Sequence, residues 1–262
     1  MLRSLWISKT GMDAQQMNLD VITNNLANSS TTAFKRIQPT FQDLLYTTLR
    51  SAGSSNNAQN LLPTGLQIGS GSAVTSTERI MNQGAMLQTG NALDVAINGT
   101  GFFQIQLADG TIAYTRQGQL SLSATGQIVT QAGNVVAGAG VIPSTATAIT
   151  ISTDGKVQYS TQGSSALNLA GTITMANFAN PAGLTAIGGN NYVASPASGT
   201  AQNGTAGLNG IGTIQQYYVE QSNVNVAEEL VNLIAAQRAY EINTRGVTAS
   251  DQILQRVSNL GM

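Results

Sequence analysis

The sequence predicts an α+β protein, with a helix at each end of the chain and a central antiparallel β-rich region. Two observations carry this prediction. Apolar residues recur every seven positions near both termini, and short alternating segments joined by glycine-containing turns fill the middle. Heptad repeats are typical of helices that pair as a coiled coil. We therefore expect the two helices to pair either with each other or with the ends of neighbouring chains.

The first helix is predicted to run from about Leu2 to Ala27. A run of five polar residues, 28–32, follows it, and their side chains compete for the backbone hydrogen bonds that would continue a helix. Pro39 then excludes another long helix. The apolar seam of this first helix consists of Leu5, Met12, Leu19 and Leu26.

The second helix has a clear predicted start at Asn225, which can cap it, with Glu228 at the spacing of a capping box. Gly246 in its interior costs about 1 kcal/mol relative to alanine, so this helix should depend on packing. Arg238 and Glu241 either form ion pairs between subunits or lie on a solvated face. The seam of this helix consists of Val226, Leu233, Tyr240, Val247 and Leu254.

The middle of the chain shows three hairpin signals, at turns 108–110, 125–126 and 154–155, each flanked by alternating apolar residues. Residues 51–60 form a polar, low-complexity stretch that is either a flexible linker or a segment ordered only against neighbours. We therefore predict four parts: an N-terminal helix and connector, 1–45; a linker-like segment, 46–64; a β-rich domain, 65–218; and a C-terminal helical part, 219–262.

Composition favours assembly over catalysis. Only 9% of the 262 residues are charged, against roughly 25% in ordinary soluble domains, so the surface must be largely uncharged. The net charge of −1, without a basic block, argues against nucleic-acid partners. Histidine and cysteine are absent, which removes the commonest general base and the thiol metal ligands. We expect no catalytic site, metal, cofactor or small-molecule substrate.

The carboxylates do not form a catalytic pattern either. Asp109 and Asp154 each precede a glycine, where a turn role is expected. Glu228 and Glu229 are adjacent on a helix, so their side chains diverge by about 100°. No apolar run reaches the roughly 20 residues of a membrane span, and the N-terminus does not read as a cleaved secretory signal.

Several motifs resemble the flagellar rod and hook family, and they occur in the family's order along the whole chain. They lie at 20–28 and 33–36, at 94–103 and 114–118, and at 222–230 and 237–243. Length and the stretch 62–71 resemble most closely the distal-rod branch of that family. The residues that carry the motifs are Asn24, Asn25, Leu26, Asn28, Phe34, Lys35, Gly99, Gly101, Phe102, Phe103, Asn223, Asn225, Glu228, Arg238 and Tyr240.

The resemblance implies a structural subunit that polymerises helically into the rigid, hollow distal rod, which carries torque from motor to hook. It implies an inner, channel-lining layer formed by the terminal helices and an outer β-layer. Implied partners are further copies of the chain, proximal rod subunits, hook or hook–rod junction subunits, the P and L ring bushing and the flagellar type III export apparatus. The implied location is the basal body, in the rod that spans the periplasm.

Two alternatives stay open at this point. The chain could be a proximal rod or hook subunit of the same family, distinguished by the segment near residues 46–63. It could also be a β-rich adhesin or glycan-binding protein, which only the Asn/Ser/Thr/Gly-rich middle supports.

Overall fold

The computed structural model describes residues 2–53, 55–57, 60–61, 63–163 and 166–260. The chain divides into two compact units, and each unit is built from segments that are far apart in sequence. The first comprises Met1–Ala27, Ile37–Arg79 and Asn225–Met262. The second comprises Asn28–Arg36 and Ile80–Val224.

The first unit contains both long helices and a set of antiparallel strand pairs. β1 pairs with β6, β2 with β5, and β3 with β4. In the described part of the chain, no helix is both long and apolar enough to cross a membrane. The elements of this unit are α1 (Leu2–Ala27), β1 (Ile37–Asp43), β2 (Tyr46–Arg50), β3 (Ser55–Asn57), β4 (Asn60–Leu61), β5 (Leu66–Gly69), β6 (Ser72–Arg79) and α2 (Val226–Leu260).

The end of α1 and the start of α2 lie where local chemistry predicts. α1 ends at Ala27, directly before the polar run. The Asn225 side chain caps α2, because its Oδ1 accepts hydrogen bonds from the backbone N–H of Ala227 at 3.1 Å and of Glu228 at 3.5 Å. Pro39 lies in β1, opposite Thr77 of β6. The two terminal helices of the α+β prediction are therefore confirmed.

The segment 46–64 contains β2 and the short β3–β4 pair. Ser54, Ala58, Gln59 and Leu62 lie outside the described residues. The choice between a flexible linker and a segment ordered by neighbours therefore stays open.

The second unit is almost entirely antiparallel β-structure. One short 3-10 helix, Pro181–Gly183, interrupts its described strands. The strands are β7 (Met86–Gln88), β8 (Val95–Asn98), β9 (Phe102–Gln106), β10 (Ile112–Thr115), β11 (Leu120–Leu122), β12 (Ile128–Thr130), β13 (Val135–Val136), β14 (Ala146–Ile151), β15 (Lys156–Thr161), β16 (Asn168–Thr172), β17 (Met175–Asn177), β18 (Thr185–Gly188), β19 (Asn191–Val193), β20 (Gln202–Gly204), β21 (Thr213–Gln216) and β22 (Tyr218–Glu220).

The largest sheet of this unit has nine strands. Seven lie in the order β11-β12-β13-β9-β10-β19-β18, and β17 pairs with both β9 and β20. Separate sheets join β14-β15-β16, β21-β8 and β22-β7. The three predicted hairpins are confirmed as β9–β10, β11–β12 and β14–β15. These pairings enclose an apolar core whose members include Ile97, Phe103, Ile105, Ile128, Ile173, Met175 and Ile214.

A second, aromatic cluster lies in the same unit. Phe102 meets Phe178 and Tyr192 edge-on, with ring centroids 5.9 and 6.0 Å apart, and Tyr114 meets Phe178 at 4.8 Å. Edge-to-face contacts add to the energy of apolar burial. Phe102 and Phe103, neighbours on β9, thus serve different clusters because successive side chains of a strand point to opposite faces.

Candidate functional site: a buried charge cluster and the paired helices

A buried carboxylate joins distant segments of the second unit. The side chains of Glu220, in β22, and Lys35 are both fully buried. Lys35 Nζ donates to Glu220 Oε1 at 2.5 Å and to the carbonyl of Asn82 at 2.7 Å. Arg116 Nε donates to Glu220 Oε2 at 2.8 Å, and the N–H of Gly84 donates to Oε1 at 2.9 Å. We call Lys35, Arg116 and Glu220 the charge cluster.

Two glycines of the central motif supply further acceptors for Arg116. Its Nη2 donates to the carbonyl of Gly99 at 3.0 Å, and its Nη1 donates to that of Gly101 at 3.1 Å. These glycines have φ values of +112° and +121°, which residues with a Cβ rarely adopt. The motif residues Lys35, Gly99 and Gly101, far apart in sequence, therefore meet at one site.

Burial and charge shift the pKa values of the cluster. Burial lowers the pKa of Lys35 to about 8; the positive charge of Arg116 acts in the same direction, and Glu220 opposes both. Burial alone would raise the pKa of Glu220. The charges of Arg116 and Lys35 and the hydrogen bonds from Lys35 and Gly84 outweigh it and hold that pKa below its ordinary value. Glu220 is therefore ionised at neutral pH and compensates the buried cations.

Asn223 fastens the same segments through its side-chain amide. Its Oδ1 accepts from the N–H of Arg36 at 2.7 Å, while its Nδ2 donates to the carbonyls of Ile80 at 2.8 Å and Asn82 at 3.0 Å. Phe34, next to Lys35 in sequence, is buried. Asn223 thus provides hydrogen-bond partners for backbone groups of two segments, at Arg36 and at residues 80–82, as a neighbouring strand would.

Asn25 performs the equivalent task in the first unit. Its Oδ1 accepts from the N–H of Ile37 at 2.9 Å, and its Nδ2 donates to the carbonyl of the same residue at 2.8 Å. The Nδ2 also lies 3.4 Å from Glu229 Oε2 on α2. Asn25 is buried, whereas Asn24 is exposed and Leu26 is half-buried. One buried amide therefore connects α1, the start of β1 and α2.

The two helices pack antiparallel along a row of small and polar residues. Ser4 Oγ lies 3.4 Å from Ser250 Oγ, and a Cβ at Gly11 would lie 3.0 Å from Asn243 Nδ2. Asn25 faces Glu229 in the same way. Each step of seven residues toward the C-terminus of α1 therefore corresponds to a step of seven residues toward the N-terminus of α2. We call these positions the inner rows. On α1 they are Ser4, Gly11, Asn18 and Asn25, and on α2 they are Glu229, Ala236, Asn243 and Ser250.

The predicted apolar seam lies beside the inner rows. The structure leaves Leu5, Met12, Leu19, Leu26, Leu233, Val247 and Leu254 half-buried, and it leaves Val226 and Tyr240 exposed. One seam residue of α1 contacts α2, since Thr244 Oγ1 lies 3.6 Å from Met12 Sδ. A coiled coil through these apolar residues, and their role in assembly, stay predictions.

The remaining motif residues are spread over both units. Glu228 and Arg238 lie exposed on α2. Asn28 lies in the turn after α1, where its carbonyl accepts from the N–H of Thr31 at 3.1 Å. The structure therefore brings Lys35, Gly99 and Gly101 together, and leaves these others elsewhere.

The chemistry of the charge cluster is that of a structural anchor. Its charged atoms bind one another and backbone carbonyls, and Lys35 and Glu220 are closed to solvent. In the described ranges, no group of three or more Asp and Glu side chains is placed to hold a metal ion. The arrangement therefore holds segments of its own chain together.

Sequence reasoning missed Glu220 altogether and gave Arg116 no role. The chain has only 12 acidic residues, and Glu220 follows directly on the apolar pair Tyr218-Val219. A lone acid at the end of an apolar run, in a chain so poor in charge, is a signal for a buried ion pair. The partner, however, lies 185 positions away, a distance that no local pattern spans.

Comparisons with known proteins agree along the whole chain. The family model "Flagella basal body rod protein" matches residues 6–35, "Flagellar hook protein FlgE/F/G D1 domain" matches 96–159, and "Flagellar basal body rod FlgEFG protein C-terminal" matches 215–260. These ranges contain Lys35, Gly99, Gly101, Arg116 and Glu220. The charge cluster therefore draws one or more residues from each of the three matched regions.

Full-length relatives carry the name flagellar basal-body rod protein FlgG. The relative from Buchnera aphidicola (subsp. Acyrthosiphon pisum) is 51% identical over 99% of this chain and 100% of its own length. Those from Caulobacter vibrioides and Bacillus subtilis are 44% and 39% identical, over 99% of both chains in each case. These matches favour the hypothesis of a flagellar rod subunit over that of an adhesin or glycan-binding protein. The chain therefore belongs to the flagellar basal-body rod protein FlgG family, whose members are structural subunits of the flagellar rod.

Proposed function

We propose that this chain polymerises helically into the distal part of the flagellar rod, a rigid hollow shaft that transmits torque from motor to hook. The full-length similarity to FlgG relatives carries the proposal. The first unit supports it, because α2 exposes large apolar side chains such as Val231, Ile234 and Ile242. Exposed apolar rows on a helix favour burial against further subunits, at about 25 cal/mol per Å².

The proposed partners follow from that place in the flagellum. Copies of the chain bind one another, proximal rod subunits bind below, hook or hook–rod junction subunits bind above, and the P and L rings surround the shaft. The proposed route is export by the flagellar type III apparatus without a cleaved signal, and the proposed location is the rod across the periplasm. We propose a non-enzymatic role without cofactor, nucleic acid or small-molecule substrate.

The division of labour along the chain belongs to the same proposal. Residues 1–45 and 219–262 form the inner, channel-lining layer, and residues 65–218 form the outer layer. The segment 46–64 distinguishes a stiff rod subunit from a subunit of the bendable hook. The alternative is a proximal rod or hook subunit of the same family.

Replacement of Leu233 by Asp tests the proposal. Leu233 is half-buried on α2, so a carboxylate there should block polymerisation and motility while the second unit stays folded. Leu208→Asp is the matched control, because Leu208 is 61% exposed in a turn of the second unit. Normal rods and motility with Leu233→Asp would contradict the proposal, as would equal defects in both variants.

A further inference from the structure

The face of α2 turned away from α1 carries two arginines in a row of four exposed residues. Two positions along a helix correspond to a rotation of about 200°, so the residues two places after the inner row lie on the opposite side. These residues are Val231, Arg238, Arg245 and Gln252, and all four are exposed. We call them the outer row of α2. Apolar side chains flank it, and Ile242 is 67% exposed.

The corresponding face of α1 carries acidic residues at the same spacing. The positions two places after the inner row of α1 are Trp6, Asp13, Asp20 and Ala27, and all four are exposed. We call them the outer row of α1. Trp6 is 56% exposed and Met17, one turn from Asp13 and Asp20, is 44% exposed. The two outer rows therefore combine opposite charge with exposed apolar surface.

The spacing of the charges matches along the helix axis. Asp13 and Asp20 are seven residues apart, as are Arg238 and Arg245, so both pairs are separated by about 10 Å. The two outer rows of one chain cannot meet each other, since each faces away from the contact between α1 and α2. Only a second copy can bring an acidic row against a basic row.

Helical symmetry fixes how the rows of two copies meet. Copies related by rotation about one axis and translation along it keep the same axial direction. Because α1 and α2 are antiparallel within a chain, α1 of one copy is also antiparallel to α2 of its neighbour. Antiparallel pairing brings both acids against both bases in one register, with Asp20 opposite Arg238 and Asp13 opposite Arg245.

The charged neighbours leave these groups available. Lys9 Nζ lies 3.1 Å from Asp13 Oδ2, but both side chains are about 60% exposed, so this contact is weak and exchangeable. Within the described residues, Asp20, Arg238 and Arg245 form no ion pair. Glu241 lies three residues after Arg238 and four before Arg245, about one helical turn from each, and in the described part of the chain it forms no ion pair with either.

We propose that the outer row of α1 in one copy binds the outer row of α2 in a neighbouring copy, with Asp20 paired to Arg238 and Asp13 to Arg245. This pairing rests on the proposed helical polymer and names the contact that sets its register. The exposed apolar side chains beside the two rows supply attraction between the copies. The charges select one axial position, because a shift by one helical turn separates Asp20 from Arg238 and Asp13 from Arg245.

Charge exchange in the full-length protein tests the pairing, with the critical concentration for polymerisation measured by sedimentation. Asp20→Arg and Arg238→Asp alone should each raise that concentration about tenfold or more, since each replaces attraction by repulsion. Together they should return it to within about threefold of the wild-type value. The mismatched double variant, Asp20→Arg with Arg245→Asp, should stay defective.

Asp251→Arg makes the same charge change elsewhere on α2 and should have little effect. Circular dichroism verifies that each variant keeps its helices. If wild-type protein polymerises but the double variant Asp20→Arg, Arg238→Asp has a critical concentration as high as that of either single variant, the pairing is overturned. Wild-type protein that never polymerises would overturn the proposed polymer, and the pairing with it.

Disulfide trapping gives a second, independent test because the chain contains no native cysteine. Oxidised polymers of Asp20→Cys, Arg238→Cys should run as a ladder of covalent oligomers. The control Ser4→Cys, Ser250→Cys should instead give a cross-linked monomer, since these hydroxyls face each other in one chain. A ladder from the control, or none from the test variant, would contradict the assignment.

Discussion

Neutralising Glu220 should weaken the second unit strongly. In Glu220→Gln the side chain keeps its shape, but the carboxylate that compensates Lys35 and Arg116 is lost. Removing one partner of a buried ion pair is costly because the remaining charge stays in a medium of low polarity. Stability should therefore fall far more than it does when an exposed pair is broken.

The geometry sets the size of the loss. Lys35, whose pKa is about 8 beside Glu220, would give up its proton in the variant at pH 7, and this costs on the order of 1 kcal/mol. The charge-assisted bond from Arg116 Nε contributes about 1.5–3 kcal/mol more. We expect the opening free energy of the second unit to fall by about 3–4 kcal/mol.

Hydrogen exchange at pH 7 measures this loss locally, in the amides of β8 and β9 beside the cluster. Asp154→Asn is the control, because it breaks an exposed pair with Lys156 and should leave the exchange of these amides nearly unchanged. A change below 1 kcal/mol in Glu220→Gln, or one equal to the control, would refute the view that the charge cluster anchors this unit.

Three further predictions concern stability. Lys35 binds its proton less tightly in the folded protein, where its pKa is about 8, than in the unfolded chain, where its pKa is about 10.4. The free energy of unfolding should therefore rise by roughly 3 kcal/mol as the pH is raised from about 8 to about 10.4. Urea unfolding followed by near-ultraviolet circular dichroism measures this rise. Asn25→Ala removes both hydrogen bonds to Ile37 and should speed exchange of the Ile37 amide, at a cost of about 2–3 kcal/mol. Gly118→Ala would place a Cβ 1.5 Å from the carbonyl oxygen of Val95, so the melting temperature should drop by several degrees.

Each of these predictions has a control and a contradicting result. A rise of stability above pH 8 that persists in Lys35→Met would assign it to other groups. The Asn25 prediction is wrong if exchange at Ile37 is unchanged. Gly90→Ala, where a Cβ meets no atom within 4 Å, should leave the melting temperature nearly constant. Equal melting temperatures for both glycine variants would contradict the close approach at Gly118.

The sequence could predict the elements whose signals are local. Heptads and the Asn225 cap located both helices, and turn glycines with alternating neighbours located three hairpins. Such signals act within a few residues, so one sequence shows them. The family motifs also marked Lys35 and Asn223 before their contacts were visible.

The contacts between distant segments could not be predicted in the same way. The inner rows are small or polar, since close approach at Gly11 and the amide of Asn25 decide how the helices meet. Hydrophobic periodicity points instead to the leucines and methionine beside them. Glu220 was missed because its partners, Lys35 and Arg116, come from remote parts of the chain.

The most direct test of the central claim is to locate the chain in intact basal bodies. An epitope inserted in the exposed turn at Asp109–Gly110, where Gly110 has open space around it, allows gold-labelled antibodies to mark the protein. The tagged chain would replace the FlgG of a motile bacterium, and isolated basal bodies would be viewed by electron microscopy. We predict restored motility and gold particles along the rod. Motile cells with gold only at the hook or at the cell surface would contradict the account.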